Sequence, residues 1–461
     1  MSGNKLSAKR GQHKHDTRRQ HVGDQSKLFR PRPLSIGSIS LGPRLAIAPY
    51  ALVCVVLSGL AASTPTVSGA LVIVLLMAPQ GLLAAQAIAV GLAYAEPFGT
   101  AASFLGVAAF VPALLKMLPA NRRHFFRDFL KVTWPALILL CWLTVVSMLH
   151  GYNQPLPALA LCAAALLAGV AWTWTAPRVL VQMLGAAGWT LLLINLSLLA
   201  ASSPDTARFA GTAGSSNALM LSIFALAPFA VAMGGTKRPL LRPLLLLAFP
   251  LLCFPLLGAS GSAQGVVYCA IFISASTAWL VKSPKAKVLG VVGALIALAY
   301  MLRETAVVTK LLTESSGNFS GRADIWSASL TVIADGFPFG TGRRIFLDEF
   351  GTIAKFGRGA HNAHLSLILW GGIIALGLWV ATWVRVIRRS ASLGFPVSVA
   401  LLVILAGSLV GGLETLTITW LILGAALGQV GVSMRGWRGQ EIRNQTIFPR
   451  GGHVATFERR T

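Results

Sequence analysis

Residues 362–384 read NAHLSLILWGGIIALGLWVATWV, with one histidine and no acid, lysine or arginine. A helix needs about 20 apolar residues to cross a bilayer, so this run predicts a membrane span. Similar runs fill the chain on either side, near 45–62, 66–78, 82–95, 99–118, 133–150, 156–173, 179–201, 216–234, 240–257, 264–281, 287–302, 395–411 and 414–434. The second and third are short for a full crossing, which leaves 12 to 14 spans. The expected fold is an all-α, polytopic transmembrane helix bundle with one long external loop that contains short helices.

Composition agrees with that reading. Of the 461 residues 55% are hydrophobic and 11% charged, against about a quarter charged in a soluble domain, and mean hydropathy is +0.70. These values exclude a cytosolic enzyme, a disordered chain and a secreted disulfide scaffold. Cys54, Cys141, Cys162, Cys253 and Cys269 all lie inside apolar runs and have no metal-binding spacing; they read as small apolar residues of a bundle.

The formal charge of +25 comes from 39 Lys+Arg against 14 Asp+Glu. The short basic segments 121–131, 237–242, 282–287 and 385–389, and the tail from Arg435, are expected on the cytoplasmic side. With an even number of crossings in 45–118, every later span alternates without conflict, and 202–215 and 303–361 fall outside. The predicted organisation is a disordered basic cytoplasmic tail (1–44), an N-terminal transmembrane bundle (45–302), a long periplasmic loop (303–361), C-terminal transmembrane helices (362–434) and a basic cytoplasmic tail (435–461). The first tail is too long and polar for the n-region of a cleaved signal, so the first span reads as a retained signal-anchor. Its single aromatic, Phe29, provides no stacking platform for nucleic acid; attraction to membrane lipids is the expected role.

Segment 303–361 is the only long loop and holds six of the 14 acids with seven Lys/Arg. Ser320-Gly-Arg322-Ala-Asp-Ile-Trp326 predicts a helix capped by Ser320, with Ala323, Trp326, Leu330 and Ile333 on one face. Gly336-Phe-Pro-Phe-Gly-Thr-Gly342 ends it, followed by Arg343 and Arg344. Arg322 in a first turn joins a guanidinium to free N–H groups, a combination suited to a bound anion. His361-Asn-Ala-His364 lies at the mouth of a span. A histidine there can accept a proton from a hydroxyl. At i, i+3 the two histidines share a helix face, and no third ligand is in view for a metal. On the other external loop, Arg208 precedes a small-residue run ending at Asn217.

Some motifs are absent. The spans hold almost no ionisable residues away from their ends, unlike coupled transporters. There is no Walker motif, dinucleotide fingerprint or nucleophile elbow, and no external acidic pair for a divalent metal.

Three stretches resemble the O-antigen ligase and polysaccharide polymerase family of bacterial inner-membrane glycosyltransferases. They are Arg208-Phe-Ala-Gly-Thr-Ala-Gly-Ser-Ser-Asn217; Ser320-Gly-Arg322 through Trp326 with Pro338-Phe-Gly-Thr-Gly342; and His361-Asn362, nine residues, then Gly372-Ile-Ile-Ala375. The resemblance covers about 205–385. One feature departs from it. Many relatives carry a Ser-Arg pair in an external turn, whereas Gly258-Ala-Ser-Gly-Ser-Ala-Gln-Gly265 has no arginine, so one cation of the family is absent or supplied by Arg343 or Arg344.

The resemblance implies transfer of a glycan from a polyprenyl diphosphate to an acceptor hydroxyl on the periplasmic face. Arg208 and Arg322, supported by Arg343 or Arg344, would stabilise the leaving diphosphate. His361 would act as the base and Asn362 would fix the ring or the acceptor. Trp326 and the other loop aromatics, with Asn217, would contact substrate. The acceptor is either a lipid-linked glycan or lipid A–core. Other implied partners are membrane lipids and a chain-length regulator or flippase; no nucleic acid, cofactor or metal is expected. The alternative is a transporter or flippase of lipid-linked oligosaccharide. The charge pattern generates a first test: a Ser315→Cys variant should react with a membrane-impermeant thiol reagent added from outside the cytoplasmic membrane, and labelling only from the cytoplasmic side would overturn the topology.

Overall fold

The computed structural model describes residues 122–151, 156–175, 177–201, 209–211, 215–232, 241–281, 283–302, 322–342, 360–411 and 417–447. The first four expected spans, the first tail, Cys54 and the signal-anchor lie outside these residues. Within them the chain forms α1 (Arg122–Leu149), α2 (Leu156–Thr175), α3 (Pro177–Ala201), α4 (Ser216–Ala232), α5 (Leu241–Ser260), α6 (Ala263–Leu280), α7 (Pro284–Leu302), α8 (Arg322–Gly336), α9 (Ala363–Ile387), α10 (Phe395–Val410) and α11 (Thr417–Ile447). Stretches of α1, α3, α5, α6, α9 and α11 are long and apolar enough to cross a membrane, and α2, α4 and α10 contain shorter apolar helices. The protein is an all-α, multi-pass membrane protein.

Two boundaries differ from the sequence expectation. The basic segment 121–131 was expected as a loop, but from Arg122 it forms the first turns of α1. It contains Arg, Lys and Phe with no Gly or Pro before Pro135, so nothing in it stops a helix from starting. At the other end α11 runs on to Ile447, past the apolar part that ends at Met434.

Helix α4 is the centre of the bundle. From Leu219 to Val231 every side chain except Ser222 is buried, as expected for a helix apolar all round. It packs against α3, α5, α6 and α10. In the same core α2 pairs with α11 through close backbone approach. A Cβ at Gly169 would overlap the Leu421 carbonyl, and one at Gly424 would overlap the Leu166 carbonyl. Trp174 Nε1 donates to Gly428 O at 2.7 Å across the same seam. Small residues that admit such approach are the usual means of helix association in lipid.

Helices α1 and α9 run antiparallel, joined by four polar contacts. Arg385 donates to Lys131 O at 2.7 Å and its guanidinium lies 4.7 Å from the Trp134 ring centroid. Trp142 Nε1 donates to Gly371 O at 2.6 Å, and Trp370 Nε1 to Ser147 Oγ at 2.8 Å. At one end of the bundle Asn362 bonds Leu409 O and Ser262 bonds Asn217. At the other end Gly394 N donates to Gln429 Oε1 at 2.7 Å.

Candidate functional site

Helix α9 is broken ten residues past its cap, about 15 Å along its axis. Gly371 (φ −127, ψ 16) and Gly372 (φ 68, ψ −164) leave helical geometry. In an unbroken helix Ile373 N would donate to Leu369 O. Here Ile373 N donates to Pro338 O at 3.0 Å, and Leu369 O accepts from Thr341 N at 2.9 Å and Thr341 Oγ1 at 3.2 Å. The turn after α8 therefore sits in the gap and replaces the missing helical bond from both sides. Close approach requires glycine at both surfaces. A Cβ at Gly340 (φ 86) would meet Gly372 N, and one at Gly372 would overlap the Pro338 carbonyl.

Helix α8 lies against the first turns of α9. Ile325, Ala360 and Leu369 form a small buried cluster, packed by Trp326, Ala328, Val332, Ile333 and Leu365. The packed face differs from the expected one: Leu330 is 58% exposed and Ile325 is 9% exposed. Docking on α9 turns the helix so that Ile325, Ser329 and Val332 face inward, a rotation that no periodicity within the isolated segment specifies.

His361 sits between two anchored neighbours. Before it, Ala360 O accepts from Trp326 Nε1 at 2.9 Å. After it, Asn362 caps α9, its Oδ1 accepting from His364 N at 2.9 Å and Leu365 N at 3.1 Å, while its Nδ2 donates to Leu409 O at 3.0 Å. His361 itself has φ 50, a left-handed conformation uncommon for a side-chain-bearing residue, held at a cost of about 1 kcal/mol or more. Anchors of this kind over-determine a strained backbone, and such strain clusters at functional sites. One expectation is corrected: His361 lies before the cap, so it does not share a helix face with His364. The Asn362 amide, expected on substrate, is engaged within the protein.

Of the remaining sequence-predicted residues, the backbone of Arg322 opens α8, so it stands at the helix start as expected; Arg208, Arg343 and Arg344 lie outside the described residues. Asn217, in the first turn of α4, accepts from Ser262 Oγ at 2.7 Å. Ser262 also caps α6 by accepting from Gly265 N at 3.0 Å, and Phe209 N, next after Arg208, donates to Ala259 O at 3.1 Å. The 258–262 turn without an arginine thus holds the chain beside one. Sequence reasoning missed Thr341 and Trp142, which complete the joint at the break. The adjacent glycines 371 and 372 were the available signal, since Gly pairs are a recognised cause of kinks.

These features define a class: a multi-pass helical membrane protein in which a turn from the segment between two apolar helices is built into a broken helix, beside a strained histidine. Residues 245–380 match the O-antigen ligase family model, a stretch that includes the joint, α8 and His361. An O-antigen ligase of Pseudomonas aeruginosa PAO1 is 30% identical over 151 residues, 32% of this chain and 35% of that protein. The chain thus aligns with about a third of that relative's length. The similarity to the O-antigen ligase family lies in this segment.

The joint generates its own test. Gly372→Ala should lower stability by about 1–3 kcal/mol, from positive φ and overlap with Pro338. Gly377→Ala, in the same helix with nothing near, should stay within about 0.5 kcal/mol of wild type. Unfolding of the purified protein in detergent measures both, and a Gly372→Ala variant as stable as wild type would remove the joint from the fold.

Proposed function

We propose that the protein is a bacterial inner-membrane glycosyltransferase that moves a glycan from a polyprenyl diphosphate to an acceptor hydroxyl on the periplasmic face. The observation that carries this reading is the family match over 245–380 coinciding with a histidine clamped at φ 50 between two anchored residues. In the proposed reaction the acceptor oxygen attacks the anomeric carbon, the C–O bond to the diphosphate breaks, and His361 takes the hydroxyl proton. The leaving group departs as a lipid diphosphate whose growing negative charge is met by Arg322 and Arg208, with Arg343 or Arg344 in support. The donor already carries the energy of transfer, so this route requires neither nucleotide nor metal.

The packing of α8 on α9 supports this reading. Helix α8 begins at Arg322 and ends in the turn seated in α9, while α9 begins beside His361. The bond from Trp326 to Ala360 O brings the first turns of α8 beside His361, which favours this scheme, since reaction at fixed groups gains from orientation. Asn362 acts in this scheme by fixing the backbone of His361 rather than by holding sugar. A polymerase, with a lipid-linked glycan as acceptor, and a ligase, with lipid A–core as acceptor, use the same chemistry.

Purified protein incubated with a polyprenyl-diphosphate oligosaccharide and each acceptor in turn tests the reading; no transfer to either would overturn it. In that assay His361→Gln, which keeps hydrogen bonding but takes no proton near neutral pH, should fall about 10²–10⁴-fold. Substantial turnover by it would reject His361 as the base. Arg322→Lys retains charge but loses the two-pronged guanidinium, and about a tenfold or larger loss is expected. Wild-type activity at equal abundance would reject Arg322.

A further inference from the structure

Sequence expectation puts α8 in an external loop, yet both of its ends are tied along α9. Near its start Trp326 Nε1 donates to Ala360 O at 2.9 Å, just before the α9 cap. At its end Pro338 O accepts from Ile373 N, and Thr341 N donates to Leu369 O in the break. Gly336 lies ten residues on from Trp326, and Gly372 ten residues on from Asn362, about 15 Å of helix in each case. Equal lengths between the two ties mean that α8 runs alongside the first half of α9, in the same direction. The depth it reaches follows from α9. The 25 residues of that helix extend about 37 Å, against a hydrocarbon core of about 30 Å. With the whole excess at the His361 end, the break would still lie about 8 Å inside the hydrocarbon.

Exposure along α9 changes at the break. From Ala363 to Gly372 none of its residues is exposed, whereas Ile373, Ile374, Gly377 and Val380 all are. On the covered stretch Leu365 and Leu369 pack with Ile325 of α8. Ile373, the first residue after the break, is 46% exposed. Helix α8 thus takes the place of the outward face of α9 over the half nearer His361. What α8 presents there divides into two edges. Leu330, Ala334 and Phe337 recur at i, i+4 and i+7 and are exposed, with Phe339 beyond them at 59%. Ser327, Thr331 and Asp335 recur at i, i+4 and i+8 on the adjacent edge and are exposed too.

We propose that α8 is a re-entrant membrane helix whose Leu330, Ala334 and Phe337 edge, with Phe339, lies against phospholipid acyl chains. Depth and continuity identify the occupant: this edge carries on the apolar outward face that α9 shows from Ile373 to Val380, and such a face on a spanning helix meets lipid. In water the same residues would leave their apolar area uncovered. The backbone of the re-entrant turn is satisfied by α9, which is the condition for irregular chain at such depth. The other edge carries a carboxylate, and an acid at membrane depth faces water or protein rather than lipid. Helix α8 therefore separates acyl chains on one edge from water on the other. This placement rests on the fold alone and not on the transfer reaction.

Photo-crosslinking of the full-length chain in phospholipid nanodiscs tests this, with p-benzoylphenylalanine introduced at one position at a time and lipid adducts read by mass spectrometry. Val380, exposed on the part of α9 beyond the break, is the reference position. Leu330, Phe337 and Phe339 should give phospholipid adducts as Val380 does, and Thr331 should give far fewer. Phe337 and Phe339 flank the joint, so Leu330, which is away from it, decides the matter should a probe at either disturb folding. Adducts at Val380 but none at Leu330 in the folded protein overturn the re-entrant placement, whatever covers that edge. Adducts at Thr331 equal to those at Leu330 overturn the division into two edges. No adduct at Val380 would take α9 out of the bilayer, and the inference with it.

Discussion

A single exchanged hydrogen bond organises the described site. Inside α9 the bond from Ile373 N to Leu369 O is not made, and both partners turn outward to the Gly336–Gly342 turn. Within a bilayer an unpaired amide or carbonyl costs several kcal/mol, so an irregular backbone survives there only when protein or water satisfies it. The turn provides that satisfaction with one carbonyl, one amide and one hydroxyl. The break and the turn therefore depend on each other: without the turn α9 has two orphan groups, and without the break the turn has nowhere to dock.

Much of the local sequence follows from this mutual dependence. Gly372 and Gly340 are required by positive φ and by backbone contact from the opposite side. Ala375 is fully buried and close-packed against Gly371, which accounts for a small residue three places after Gly372. Trp142 gives the Gly371 carbonyl a donor, so a third helix closes the region. Asn362 then starts α9 at a defined residue, and Trp326 ties the preceding carbonyl to α8. His361 is held from both sides by bonds that it does not itself make. Discontinuous helices near binding sites are a recurring device in membrane proteins, because the break exposes helix ends and backbone groups without exposing them to lipid.

The polar contacts at the two ends of the bundle divide by task. Ser262, Asn217 and Ala259 connect the ends of α4, α5 and α6 and the chain at Phe209, so the turn that lacks an arginine still supports the segment that carries one. Arg385, Lys131 and Trp134 fasten α1 to α9 at the opposite end, where basic residues meet a backbone carbonyl and an aromatic face rather than acids. With so few acids near the spans, pairing of that kind is the available way to settle a cation at a helix end.

The all-α membrane class was legible from the sequence because apolar runs longer than the bilayer admit little else, and most helix limits fall within a few residues of the apolar runs for the same reason. The helix starting at Arg322, its glycine-rich end and the start of α9 beside His361-Asn362 were also legible, since capping residues and glycines act through local chemistry. The inward face of α8 was not: Leu330 faces out and Ile325 faces in because α9 is there, a contact between segments some forty residues apart. Nor were the break at Gly371–Gly372 or the bonds of Thr341 and Pro338 to it. A glycine pair in an apolar run permits a kink, but only a partner from elsewhere in the chain, brought to the gap by tertiary packing, decides that the helix opens there and what fills it.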